Sequence, residues 1–247
     1  MKIKDILSKS KGSYFVSLLL AMTCLVVMMM TINDVNKYNM FSLCFPAEYP
    51  WQYFSGIFVH GTPEFPIAAS IAHLIFNLLL VIPFGILIEK VIGSNRFSVI
   101  TLISWLVQSL AFYVIASIIT PENETARGAG ISGIAFMYGT IGAYILFKVF
   151  KRNKKVFFKQ VLTYLYLNIL LAMLFMLNPF VAGISSFVIH IIGVITGFLF
   201  VLLNYKYINY NIDKVFQEKQ LMISVLKWNY LWIAVPIFFM IIYVTYK

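Results

Sequence analysis

One serine stands among glycines in the segment GAGISGIAF at residues 128–136, and other polar side chains lie in separate apolar segments. The Ser132 hydroxyl becomes a useful nucleophile only when a base takes its proton. Imidazole is the natural base, because its pKa lies near working pH, and His190 supplies one. His73 and Asn77 carry N–H groups that could stabilise an oxyanion. Together these four side chains could perform nucleophilic catalysis.

The elements that would position these side chains are membrane-spanning helices. Of the 247 residues, 61% are hydrophobic and 11% are charged, which predicts an all-α polytopic membrane protein. A helix needs about 20 apolar residues to cross the hydrocarbon core. We therefore predict seven spans, at residues 14–32, 71–92, 97–119, 131–150, 160–178, 183–204 and 229–246.

These spans divide the chain into four parts. Residues 1–13 form a cytoplasmic N-terminal segment, and residues 14–204 form a helical core that includes a long outer loop at 33–70. A cytoplasmic linker at 205–228 leads to a last transmembrane helix at 229–247. The outer loop is rich in aromatic residues, which suits a segment lying at the membrane interface.

The basic residues predict the orientation of the chain. Only Lys37, Arg127 and Lys247 fall in segments that alternate to the outside, while the other Lys and Arg residues fall in inner segments. Because basic loops resist translocation, the N-terminus is predicted to be cytoplasmic and the C-terminus outside. The net charge of +10 is spread over short loops, which argues against nucleic acid as a partner. The Lys, Asn, Ile and Phe bias indicates a bacterial plasma membrane.

The orientation places the polar residues at similar depths. Spans two, four and six all run inward, with His73 and Ser132 near their outer ends and His190 ~10 Å into its helix, at ~1.5 Å per residue. His73 and Asn77 are four residues apart and share a helix face. All four side chains could meet in one cavity in the outer half of the membrane. Since these helices offer no carboxylate at this depth, the base would act in a Ser-His dyad.

Glycines supply the close approach that such a site needs. Gly130 and Gly133 flank Ser132, where they permit a tight turn into the helix. Gly193 and Gly197 give the sixth span a small-xxx-small face, which lets membrane helices pack closely. This packing is expected to bring the predicted nucleophile to the predicted base.

The sequence resembles the rhomboid intramembrane serine proteases from about residue 45 to residue 204. Each motif alone is weak, but five in order on the expected spans are specific. They are Phe58-Val59-His60, His73 with Asn77, Gly85 with Glu89 and Gly93, Gly130 to Gly133, and His190 with Gly193 and Gly197.

The resemblance implies a role for each of these groups. Ser132 would be the nucleophile and His190 the general base, with an oxyanion hole formed by the Ser132 N–H, His73 and Asn77. It implies a six-helix core, to which the last span adds a seventh helix. It also implies cleavage of transmembrane protein substrates near the outer membrane face, in the lipid bilayer, with no metal or cofactor.

Four features depart from the family pattern. An insertion at 61–72 lengthens the outer connection and could rebuild the cap over the site. Val188 and Ile189 precede the base where the family often has Gly-Ala, so the cavity could be crowded. Phe136 replaces a tyrosine that commonly stacks on the base, and Gln52 stands where the family has an arginine after a tryptophan.

Other interpretations remain open. Taken alone, GISG in a membrane helix usually serves packing, and a lone histidine usually makes a structural hydrogen bond. A catalytically silent relative that binds transmembrane helices would keep the fold without the chemistry. A small transporter could use His73 and His190 as a proton relay, but no inverted repeat supports it.

Overall fold

The computed structural model describes residues 15–61, 66–152, 173 and 184–217. Over these residues the chain is an all-α polytopic membrane protein, which confirms the predicted fold class. The predicted span at 229–246, the segment 1–13 and nearly all of the predicted span at 160–178 lie outside the described residues. The division of the chain into four parts stays a prediction.

Seven helices and two short strands are described. The helices are α1 Phe15–Thr31, α2 Val35–Phe41, α3 Gln52–Ser55, α4 Ile67–Ile92, α5 Ser94–Ile119, α6 Ser132–Arg152 and α7 Ile184–Gln217. A 3₁₀ turn at Gly56–Phe58 follows α3, and the strands are β1 Leu43–Phe45 and β2 Ala126–Gly128. Within the described residues, α4, α5, α6 and α7 contain segments long and apolar enough to cross a membrane.

The bounds of α1, α5 and α6 lie within three residues of the predicted spans, although α1 is shorter than the helices long enough to cross a membrane, and two other ends differ more. Helix α4 begins at Ile67 rather than 71, because the second half of the insertion is apolar and continues the helix outward. Helix α7 runs through Gln217, past the predicted end at 204, into a stretch assigned to a linker. A helix satisfies its own backbone hydrogen bonds, so it need not end where the apolar residues end.

Helix α6 lies at the centre of the bundle, in contact with α4, α5 and α7. Glycines allow the close contacts, since a Cβ at Gly142 would overlap the Phe84 ring and one at Gly197 would lie 2.8 Å from the Met137 carbonyl oxygen. Helix α5 is peripheral. Its exposed face is apolar, as a lipid-facing surface must be, and comprises Val99, Leu102, Ile103, Leu106, Leu110, Val114 and Ile118.

The buried carboxylate of Glu89 joins three helices at the end of the bundle remote from Ser132. It accepts hydrogen bonds from the Val16 N–H at 3.2 Å, from the Ser17 N–H and hydroxyl at 3.1 and 2.8 Å, and from the Ser94 hydroxyl at 2.7 Å. A carboxylate buried this deeply needs such partners. Glu89 thus ties the start of α1 to the end of α4 and the start of α5.

Gly93 separates α4 from α5 without a loop. Its φ of 83° lies in the left-handed region that only glycine adopts without strain. The two helices can therefore reverse direction over a single residue, and Ser94 is brought back to the Glu89 carboxylate.

The outer loop is ordered by pairing with the segment that precedes α6. Strand β1 pairs antiparallel with β2, with Cys44 opposite Arg127. The Gly130 N–H donates to the Gly56 carbonyl at 3.0 Å, which adds a second tie. Asp34 is the N-cap of α2, and its carboxylate accepts from the Lys37 N–H at 3.0 Å. This two-stranded sheet was not part of the sequence-based expectation.

Candidate active site

Ser132 is the first residue of α6 and is buried, with 8% of its surface exposed. The first regular backbone bond of this helix runs from the Ala135 N–H to the Ile131 carbonyl at 3.0 Å. The N–H groups before Ala135 have no partner within the helix, so they are donors pointing outward from its N-terminus. The helix dipole adds positive potential at the same place. Ser132 therefore lies where an anion would be stabilised.

His190 lies in α7 and is buried, with 2% of its surface exposed. Its imidazole stacks on the Phe136 ring, with the ring centroids 4.3 Å apart and the planes 18° from parallel. Phe136 comes four residues after Ser132, so both project from the same face of α6. Helical side chains also lean toward the N-terminus, which directs the Phe136 ring toward Ser132. The imidazole is thus held on the face of α6 that carries the serine.

The backbones of α6 and α7 approach closely at Gly193. A Cβ there would overlap the carbonyl oxygen of Gly133 and would lie 3.1 Å from the Cβ of Phe136. Only a residue without a side chain allows the two backbones to come this close. The predicted small-residue packing between these spans is therefore present, and it lies one turn beyond His190.

His73 and Asn77 converge on the turn that precedes Ser132. Gly130 has a φ of 113°, and a Cβ built on it would lie 2.9 Å from His73 Cε1 and 3.8 Å from Asn77 Nδ2. The Asn77 side chain is fully buried, and neither its Nδ2 nor its Oδ1 has a hydrogen-bond partner among the described residues. An unsatisfied buried amide is unusual and calls for a ligand or water. Because α4 starts at Ile67, His73 lies in its second turn rather than at its outer start.

His60 braces this arrangement from the outer loop. Its Nδ1 lies 3.1 Å from the Phe58 carbonyl oxygen, and its ring packs edge-on against His73, with centroids 5.3 Å apart. Burial, and secondarily the neighbouring His73, lowers the pKa of His60 to about 3. His60 is therefore neutral, and it supports the position of His73.

A cavity of about 90 Å³ opens beside Ser132. Its walls come from β1, β2 and the 3₁₀ turn, from α5, from the turn before α6 and the first turn of α6, and from the described start of α7. Ile189 lines it and narrows it, whereas Val188, the other bulky residue before His190, does not contribute to the wall. The expected crowding therefore comes from one side chain, and space remains next to the serine.

Arg127 connects the outer loop to the approach to α6. Its guanidinium donates to the Asn39 carbonyl at 2.9 Å, to the Ser42 hydroxyl at 3.4 Å and to the Glu48 carboxylate at 2.6 Å. Gln52 donates to the same Asn39 carbonyl at 2.8 Å. Gln52 stands where the family pattern has an arginine after Trp51, and here the guanidinium of Arg127 reaches the outer loop from β2.

Two residues at the site were missed by the sequence analysis. Gln108 of α5 lines the cavity and is buried, and Arg127 lines it from β2. The signal for Gln108 was the same as for Asn77, an amide within an apolar span. Arg127 gave no local signal, because Glu48 lies 79 residues away in the sequence.

The described residues thus define a multi-pass helical membrane protein in which Ser132 lines a small cavity, while His190 of the facing helix stacks on Phe136 and does not line that cavity. A model of the Rhomboid domain matches residues 47–207. The match covers more than half of the chain, and the protein therefore belongs to the rhomboid family. No curated protein matches the chain.

Proposed function

We propose that this rhomboid is an active intramembrane serine endopeptidase. The observation that carries the proposal is the stacking of His190 on Phe136, one helical turn from Ser132. Family membership supports either a protease or an inactive relative, and the placement of both groups on one buried interface favours the protease.

In the proposed reaction, the Ser132 oxygen attacks the scissile carbonyl carbon while His190 takes the hydroxyl proton. The carbonyl oxygen becomes an oxyanion, which accepts hydrogen bonds from the Ser132 N–H, from Asn77 and from His73. His190 then gives its proton to the leaving nitrogen as the C–N bond breaks, leaving an acyl ester on Ser132. Water attacks the ester by the same route and regenerates the serine.

The unpartnered Asn77 amide supports its role as an oxyanion donor. Both of its polar atoms are buried without a partner among the described residues, although burial of an unpaired amide is unfavourable by about 1–3 kcal/mol. A developing oxyanion would supply the missing acceptor. An interaction made only in the transition state accelerates the chemical step.

The substrate class follows from the position of the site in the membrane. Transmembrane protein segments are the expected substrates, because they reach the cavity from the bilayer. A helical peptide bond is shielded by the helix, so the segment must unwind before attack. Small or helix-breaking residues near the cleavage site are expected to favour this unwinding.

Labelling with a fluorescent fluorophosphonate tests the proposal directly. Detergent-solubilised wild-type protein is expected to be labelled, while Ser132→Ala is not labelled and His190→Ala reacts at least ~100-fold more slowly. A FRET-labelled single-span peptide with an Ala-Gly break near its outer end measures cleavage in the same samples. A folded Ser132→Ala variant that cleaves the peptide at the wild-type rate would contradict the proposal.

A catalytically silent protein that binds transmembrane helices is the second candidate. Ile189 favours it, because this side chain narrows the cavity next to Ser132. It predicts binding of the single-span peptide with no fluorophosphonate labelling of wild-type protein. An Ile189→Ala variant that gains labelling would show that crowding is the cause.

We also propose that the Ser132 end of the bundle faces the outside of a bacterial plasma membrane, with the N-terminus cytoplasmic and the C-terminus outside. The support is the position of basic residues at the opposite ends of the spans, namely Lys90 and Arg96 where α4 meets α5, and Lys151 and Arg152 at the end of α6. Cysteines introduced one at a time at Asn95 and Glu122, in a chain with Cys24 and Cys44 replaced by alanine, test this with a membrane-impermeant maleimide on intact cells. Labelling of Asn95→Cys without labelling of Glu122→Cys would show that the protein has the opposite orientation.

A further inference from the structure

Gln108 of α5 makes a bidentate contact with the turn of α7 that carries His190. With its carboxamide oriented by its neighbours, the nitrogen donates to the Ile189 carbonyl at 3.2 Å and the oxygen accepts from the Gly193 N–H at 3.3 Å. These backbone groups stand on either side of His190 in the sequence. The side chain is 4% exposed, so the contact is sheltered from competing water.

The same carboxamide also packs against Gly133, the residue after Ser132. A Cβ at Gly133 would overlap the Gln108 carboxamide, which shows that only glycine leaves room for it. The amide is therefore held between the backbone beside the proposed nucleophile and the backbone on both sides of the proposed base.

The backbone of α7 does not need these two hydrogen bonds. The Ile189 carbonyl and the Gly193 N–H are four residues apart, so a regular helix lets them bond to each other. A buried amide in a membrane helix is unfavourable, and such residues usually mark function. The absence of a side chain on Gly193 uncovers the helix backbone at the one place where the amide reaches it. A role in positioning the turn of α7 therefore explains these hydrogen bonds better than a need to satisfy the backbone groups of α7 does.

We infer that Gln108 is a positioning residue that fixes the separation of Ser132 and His190 by bridging their two turns. This inference rests on the proposed protease function. A displacement of about 1 Å between reacting groups lowers rates by roughly 100-fold. A bridge that limits such displacement therefore acts on the chemical step and not on substrate binding.

The test uses full-length protein in detergent and measures the saturating rate and the half-saturating concentration of fluorophosphonate labelling. Gln108→Met keeps the length of the side chain and removes both hydrogen bonds, while α7 closes its own backbone bond. The saturating rate is expected to fall at least 10-fold, with the half-saturating concentration and the melting temperature unchanged. Ser109→Ala is the matched control, since Ser109 is the next residue, is buried, and has no partner for its hydroxyl among the described residues. Its labelling rate is expected to stay within 2-fold of wild type.

Gln108→Glu provides the rescue. Burial favours the uncharged carboxylic acid, which has one donor and one acceptor and can remake both bonds. Its labelling rate at pH 6 is expected to stay within 3-fold of wild type, and to fall at alkaline pH as the carboxyl ionises. A purely structural role would instead lower melting temperature and rate together in both variants.

The outcomes separate the two proposals. A wild-type protein that is not labelled at Ser132 refutes the protease function itself. A labelled wild type with Gln108→Met at the same rate refutes the positioning role alone. The positioning role is also refuted if neither Gln108 variant folds. It is refuted as well if Gln108→Met and Gln108→Glu slow labelling equally at pH 6.

Discussion

The close approach of the α6 and α7 backbones at Gly193 makes Gly193→Ala an informative single change. A Cβ at this position would lie 3.0 Å from the carbonyl carbon of Gly133 and would overlap its oxygen. Carbon atoms prefer separations of about 3.5–4.0 Å, so α7 must retreat from α6 by roughly 0.5–1 Å. Backbone cannot rotate away as a side chain can. We expect overpacking to destabilise the protein by about 1–3 kcal/mol.

The effect on the proposed chemistry is expected to exceed the effect on stability. Because His190 lies three residues from Gly193 on the same helix, the retreat carries the imidazole away from Ser132. A shift of about 1 Å is expected to slow fluorophosphonate labelling roughly 100-fold. The assay follows labelling rate and SDS-induced unfolding on the same purified samples.

Gly139→Ala is the matched control for this experiment. It adds the same methyl group to the centre of α6, but the nearest atoms belong to the end of the flexible Met173 side chain, with Sδ at 2.8 Å and Cε at 2.9 Å. That side chain can move, so labelling is expected to remain within about 2-fold of wild type. If Gly193→Ala labels as fast as Gly139→Ala, close helix approach does not set the geometry of the dyad and the reasoning fails.

Three further changes test other parts of the structure. Glu89→Ala leaves four hydrogen-bond donors without their acceptor. It is expected to lower the free energy of unfolding, measured by SDS titration, by roughly 3 kcal/mol or more. The folded variant is expected to be labelled at the wild-type rate. Phe136→Leu removes the ring under His190 and is expected to slow labelling roughly 3- to 10-fold, because stacking is worth about 0.5–1.5 kcal/mol, while Phe136→Tyr retains the rate. The pKa of His60 is lowered from 6.5 to about 3 in the folded protein. As pH falls, His60 is therefore protonated in the unfolded chain before it is protonated in the folded protein. The free energy of unfolding should consequently fall as pH drops from 6.5 toward 3. His60→Gln is expected to reduce this dependence of the free energy of unfolding on pH. An unchanged dependence would show that His60 does not cause it.

The sequence was most informative where one residue type or one spacing has few explanations. Apolar length located α1, α4, α5 and α6 to within a few residues, because the bilayer sets the length of a span. Small-residue spacing identified Gly193 as a packing position, because membrane helices approach closely only through such faces.

Contacts between distant segments could not be predicted in the same way. Gln108 was visible as an amide in an apolar span, but its role depends on the rotation of α5, which hydropathy does not report. The strands β1 and β2 have three residues each, too few for an alternating pattern to be recognised. The Arg127–Glu48 pair depends on that strand pairing and was therefore missed with it.

The pairing of β1 with β2 also explains where this chain has room to vary in length. Surface loops normally tolerate added residues because they make few contacts with the helices or strands that they connect. Here the antiparallel pairing of β1 with β2 and the Gly130–Gly56 bond attach the first part of the connection to the turn that precedes Ser132. Added residues are therefore expected to leave this turn undisturbed only when they follow Gly56, and the insertion at 61–72 begins five residues after Gly56.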